Sequence, residues 1–140
     1  MKITKTQNSR LSNTNFNKLE FGRTFSDHML MCKFQDGQWQ EAEIIPYQPL
    51  SFAPGTHVFH YGQAVFEGMK AFKNKDGKTL LFRPEANMNR LNQSAKRLCM
   101  PSIPASIFMD GLKSLLKLDE QWIPEGNAKS LYIRPFMIAN

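Results

Sequence analysis

Two Asp-Gly steps, at 36–37 and 76–77, each stand between short apolar runs. Asp-Gly accommodates the positive φ of a tight reversal, so each step predicts a β-hairpin. The expected arms of the first are MLMCKF (29–34) and WQEAEIIP (39–46). Those of the second are 68–73 and 79–83, joined by the polar turn NKDGK. The stretch from Tyr47 to Gly55, with Pro49, Pro54 and Gly55, reads as loop.

The pattern then changes period. Pro84 suits the first turn of a helix, and Met88, Leu91, Ala95 and Leu98 fall on one face at helical spacing. Pro101 and Pro104 end that helix. A second is expected from about Ser106, as N-cap, to about Leu118, with Phe108, Leu112, Leu115 and Leu116 as its buried stripe. A turn at Pro124-Glu125-Gly126-Asn127 leads to a last strand, LYIRPFMIA (131–139). Hairpins followed by a helix pair predict an α+β fold, an antiparallel sheet with helices packed on one side.

A chain of 140 residues can bury one core. It holds no apolar run near the ~18 residues of a membrane span and no secretory signal at its start, so the cytosol is the expected location. Cys32 and Cys99 lie far apart and form no C-x-x-C pair, which argues against a disulfide scaffold or a zinc site. The net charge of +6 is concentrated at the start, where Lys2, Lys5, Arg10, Lys18 and Arg23 stand against Glu20 alone. This Asn- and Lys-rich leader lacks the aromatic interleaving of a nucleic-acid arm and the Arg-rich amphipathy of a transit peptide. The expected organisation is a solvated basic arm over 1–20 and one domain over 21–140. The chain stops directly after an apolar strand, where natural termini are usually polar and exposed, so a truncated domain is expected.

Several residues could carry chemistry. His57 and His60 could share a metal only on a helix, and Pro54-Gly55 argues against a helix starting there; packed or surface histidines are the plainer reading. Lys70, in FEGMKAF, could be an amine nucleophile if buried, or an ordinary lysine on a sheet surface. Arg90 lies off the apolar stripe of its helix, either solvated or free to grip a phosphate through paired hydrogen bonds. Tyr132 and Arg134, two apart on a strand, share a face and suit a carboxylate. The plainer reading of that pair is an exposed strand face.

At these same residues the sequence resembles a family. FSDHMLM (25–31), HYGQAVFEGMKAF (60–72), LFRPEANMNRLNQSAKRLCMP (81–101) and LYIRP (131–135) look like the branched-chain amino-acid aminotransferases, fold-type IV enzymes that use pyridoxal phosphate. The four blocks stand in the right order and spacing over roughly residues 20–140. The resemblance implies that this is the small N-terminal domain, with the cofactor lysine on a larger C-terminal domain outside the chain. The 140 residues alone are then expected to be inactive and not to hold the cofactor. Arg90 in NMNRL corresponds to the arginine that holds the cofactor phosphate. Phe25, Tyr61, Phe66 and Tyr132 match residues lining the substrate pocket, and Arg134 matches the arginine beside it. The implied reaction moves the amino group of leucine, isoleucine or valine to 2-oxoglutarate. The expected partners are these small molecules and further copies of the chain, with neither nucleic acid nor membrane.

Overall fold

In the computed structural model, residues 1–126 and 129–140 are described. Asn127, in the expected turn at 124–127, lies outside them. The strands are β1 (Lys2–Ile3), β2 (His28–Met31), β3 (Phe34–Gln35), β4 (Gln38–Trp39) and β5 (Glu43–Pro46). A short helix α1 (His57–Tyr61) precedes β6 (Ala64–Phe66), β7 (Met69–Lys73) and β8 (Thr79–Leu81). Helices α2 (Pro84–Arg97) and α3 (Gly111–Leu118) follow, and β9 (Leu131–Ile133) and β10 (Phe136–Ile138) close the order.

Both Asp-Gly turns form. Asp36 and Gly37 take φ of 53° and 77°, the double positive φ of a type I′ turn, and join the antiparallel pair β3–β4. Gly77, φ 75°, closes the second turn, its N–H donating to the Asn74 carbonyl at 3.0 Å. Lys73 then faces Thr79 across β7–β8.

The long strands are interrupted. The arms 29–34 and 39–46 are each split, with β2 pairing β5 while β3 and β4 form their own hairpin. The last strand is interrupted at Arg134-Pro135: β9 pairs β7 and β10 pairs β6. Proline has no N–H to give to a ladder, which accounts for the break.

Helix α2 begins at Pro84 as expected, with Glu85 in its first turn and Lys96 and Arg97 in its last, signs that suit the helix dipole. It ends in a Schellman closure. The Met100 N–H donates to the Ala95 carbonyl at 2.9 Å while Cys99 takes a left-handed φ of 55°. Leu91 and Ala95 are buried, but Leu98, expected on the same face, is exposed and Asn87 is buried instead. Ser106 is not an N-cap. Residues Ser106–Asp110 form a π-helical turn that runs into α3, with no side-chain cap. Phe108, Leu112 and Leu116 face the core.

The core joins Val65, Met69 and Ala71 of the strands to Leu91, Phe108 and Leu112 of the helical side. Fully burying a side chain such as Leu91 contributes about 1.5–3 kcal/mol. The α+β class holds. One pairing within it is parallel, β1 with β5.

That pairing ties down the leader, whose residues nevertheless stay mostly exposed. The Thr6 N–H donates to His28 Nε2 at 2.9 Å. Asp27 accepts the Ser9 hydroxyl at 2.6 Å and the Arg10 N–H at 3.0 Å.

Candidate functional site

The register of the strand pair around the Arg134-Pro135 break is continuous. Phe66 faces Phe136 on one side of it and Met69 faces Ile133 on the other. Between them lie Glu67 and Gly68, and the Glu67 N–H donates to the Pro135 carbonyl at 2.8 Å. Strand alternation divides the side chains. Val65, Met69 and Ala71 enter the core, whereas Phe66, Lys70, Arg134 and Phe136 are exposed.

On this outer face Arg134 donates from Nε and Nη2 to the Tyr132 hydroxyl, at 3.1 and 2.8 Å. Its guanidinium carbon lies 4.5 Å from the centre of the Phe66 ring, a cation–π contact. With its oxygen accepting from a cation, Tyr132 has its own hydroxyl proton free to donate. A Cβ at Gly68 would meet the Tyr132 hydroxyl and ring, which would have to shift. Phe21, just after the leader, packs edge-on against Tyr132 with ring centres 5.0 Å apart. Aromatic walls, a guanidinium and a phenol on one open face can take a ligand that is partly apolar and partly anionic.

A cleft of about 690 Å³ adjoins this face, lined by Gly68, Lys70, Phe72, Phe82, Asn87 and Arg90 among others. Arg90 is bidentate on Glu67, Nε to Oε1 at 2.9 Å and Nη2 to Oε2 at 2.6 Å. Asn87 donates to the same carboxylate at 2.9 Å and to the Gly68 carbonyl at 3.1 Å. The Arg90 guanidinium beside Glu67 holds that carboxyl below its ordinary range, against the opposing effect of burial. Two of arginine's five N–H donors are used on Glu67, so three remain for an anion in the cleft. Such a donor set fits a phosphate monoester.

The structure unites Phe66, Tyr132 and Arg134, and sets Arg90 in the cleft that Gly68 also lines. It places Phe25 and Tyr61 among other neighbours. Phe25 stacks on Tyr47 at 4.7 Å, and Tyr61, 78% exposed, packs edge-on against His57 and His60. These sit on α1, a helix that does start after Pro54-Gly55, with Thr56 as its N-cap and the Thr56 hydroxyl 2.7 Å from the Ala53 carbonyl. Among the described residues, no three His, Cys, Asp or Glu side chains group as metal ligands would, and no helix is long and apolar enough to cross a membrane. Lys70 is exposed on β7, opposite Tyr132.

Sequence reasoning missed Glu67, Asn87 and Phe21. Glu67 stands inside FEGMKAF, and an acidic residue within an apolar strand is the one signal that could have found it, since burial demands a partner. It also missed a buried pair below β2. His28 accepts the Thr6 N–H at Nε2, so its proton sits on Nδ1 and is donated to Asp119 at 2.6 Å.

No protein-family model matches the chain. Curated relatives do. The chain is 54% identical over 124 residues to branched-chain-amino-acid aminotransferase 2 of Bacillus subtilis, covering 88% of the chain and 34% of that protein. It is 46% identical over 122 residues to branched-chain-amino-acid transaminase 1 of the same organism, covering 86% and 34%. The chain thus spans about a third of the length of the curated relatives it matches. Among solved structures, the Escherichia coli branched-chain amino acid aminotransferase aligns with a TM-score of 0.57 at 24% identity, over 81% of this chain and 33% of that one, a likeness of fold. A second branched-chain amino acid aminotransferase, of the organism abbreviated T.th. and complexed with N-(5'-phosphopyridoxyl)-L-glutamate, aligns with a TM-score of 0.53 at 26% identity, over 66% and 29%.

Proposed function

This chain belongs to the branched-chain aminotransferases, matching their amino-terminal part, and we propose that the protein carrying it transfers the amino group of leucine, isoleucine or valine to 2-oxoglutarate with pyridoxal phosphate. The observation that carries the proposal is the Tyr132–Arg134 pair, hydrogen-bonded and lying against the Phe66 ring on an open face.

In this reading Phe66 and Tyr132 form an apolar wall for a branched side chain. Arg134 and the Tyr132 hydroxyl supply donors for the second carboxylate of glutamate. Phe25 and Tyr61 are proposed as further pocket residues. Their exposure leaves them available, although each now rests on other neighbours. Pyridoxal phosphate, when bound, supplies the electron sink for chemistry at the amino-acid α-carbon. What this chain brings to it is the Arg90 cleft, whose unused donors suit its phosphate. The lysine that anchors the cofactor is proposed to lie outside this chain, as Lys70 has neither the burial nor the setting of an activated amine. We further propose residues 21–140 as the small domain with 1–20 as its tethered leader, and assembly of the whole enzyme as a homo-oligomer.

The test is Arg90→Ala in the full-length enzyme. Alanine is the better helix former, so α2 should persist while cofactor affinity falls roughly tenfold or more. Unchanged affinity, read by equilibrium titration of cofactor absorbance, would remove Arg90 from the site.

A further inference from the structure

We propose that Glu67 is a positioning residue that orients Arg90 for the cofactor phosphate, rather than a competitor that occupies it. The proposal rests on the reading of Arg90 as the phosphate-binding group and concerns what holds that group in place.

The two halves of the pair differ in setting. The Glu67 side chain is 10% exposed and that of Arg90 is 60% exposed. The buried half is anchored at several points. Its backbone N–H enters the ladder at the Pro135 carbonyl, its Oε1 takes Arg90 Nε, and its Oε2 takes both Arg90 Nη2 and Asn87 Nδ2. Asn87 in turn grips the Gly68 carbonyl. The carboxylate is therefore fixed from the strand side and from α2 before Arg90 meets it.

The guanidinium is planar, so binding it along one edge sets the direction of every remaining N–H. The edge carrying Nε and one Nη2 hydrogen is turned to Glu67. The two Nη1 hydrogens and the second Nη2 hydrogen are left for the cleft that Arg90 lines. Without Glu67, Arg90 would be an exposed, flexible chain and would lose its rotamer freedom only on binding phosphate. Immobilising such a side chain costs about a twofold to tenfold loss in affinity. A carboxylate beside a phosphate also repels it, and salt screens a buried group such as Glu67 only weakly, but the Arg90 guanidinium paired with that carboxylate offsets its charge.

The geometry makes charge and orientation separable. Glu67→Gln removes the charge and one acceptor. Glu67→Asp keeps the charge and withdraws the acceptors by one methylene. Orientation expects both to weaken pyridoxal phosphate binding to the full-length enzyme, by about twofold to tenfold at about 0.15 M salt, and both to be silent in an Arg90→Ala background. It also expects faster motion of the Arg90 Nε–H in either variant, read by nitrogen-15 relaxation, a signal that general loosening of the fold would not confine to one side chain. Weakening by both variants with that mobility supports the proposal. Unchanged or tighter binding by Glu67→Gln, while Arg90→Ala still weakens binding, overturns it and leaves the phosphate role of Arg90 standing. If Arg90→Ala itself leaves affinity unchanged, the reading of Arg90 fails and the proposal fails with it.

Discussion

The hydroxyl and ring of Tyr132 fill the space that a side chain on Gly68 would need. Gly68 lies between β6 and β7, next to Met69, while Tyr132 lies on β9 opposite Lys70, so the two approach closely beside the Arg134-Pro135 interruption. Gly68→Ala should push the Tyr132 ring aside and break its bonds from Arg134. Overpacking of this kind costs about 1–3 kcal/mol. Thermal unfolding of the variant should show a loss in that range. In the full-length enzyme kcat/KM for leucine should fall while cofactor affinity, which the proposed function assigns to Arg90, changes little. A variant with wild-type stability and kinetics would mean that Tyr132 moves freely and defines no wall.

Much of this arrangement was legible in the sequence because it rests on residues with narrow backbone demands. Asp-Gly steps and Pro84 leave few alternatives, so both hairpins and the start of α2 were placed. Tyr132 and Arg134 were placed together by alternation, and they do meet, even though Arg134 lies just past the end of β9. The rest depended on partners distant in sequence. Nothing local in Lys2–Ile3 announces a parallel pairing with β5, which is set by tertiary contact. Five residues of α1 are too few for a periodic signal. Glu67 was passed over because its partner Arg90 lies 23 residues away.

The leader's attachment carries a pH signature. Burial alone would raise the Asp27 carboxyl, but bonds from the Ser9 hydroxyl and the Arg10 N–H outweigh it and hold the group below its ordinary 3.8. A depressed carboxylate stabilises the fold above its unfolded value, and that contribution is lost as pH falls through the folded value. Ser9→Ala should therefore lower stability by about 1 kcal/mol near neutrality. The difference in Tm from the parent should shrink as pH drops below about 4. A difference that persists undiminished well below that pH would show that Ser9 acts otherwise than through ionised Asp27.

Lys70 sits close to the Arg90 cleft and is the amine of this chain nearest in setting to a cofactor lysine. It is exposed on β7, without the burial that can activate a lysine amine. The 140-residue chain, mixed with pyridoxal phosphate and reduced with borohydride, should show only scattered, substoichiometric labelling of lysines on peptide mapping. One label per chain at Lys70 would overturn this and move the covalent chemistry into the chain itself.

Arg134 gives the sharpest test of how one pocket could accept two unlike side chains. Leucine needs an apolar wall, whereas glutamate brings a carboxylate whose unpaired burial is expensive. The Arg134 guanidinium lies against the Phe66 ring and donates to Tyr132, so its charge has a resting place when the occupant is apolar. When a carboxylate arrives, its remaining N–H groups and the Tyr132 hydroxyl proton are already at the wall, and no charge has to be moved in from solvent. Arg134→Met keeps much of the aliphatic stem over Phe66 and removes the donors. In the full-length enzyme the glutamate half-reaction should then lose roughly tenfold or more kcat/KM relative to the leucine half-reaction, as expected for a lost charge-assisted hydrogen bond. Equal losses for the two substrates would reduce Arg134 to a structural brace for Tyr132, and dual recognition would have to be sought elsewhere on the face.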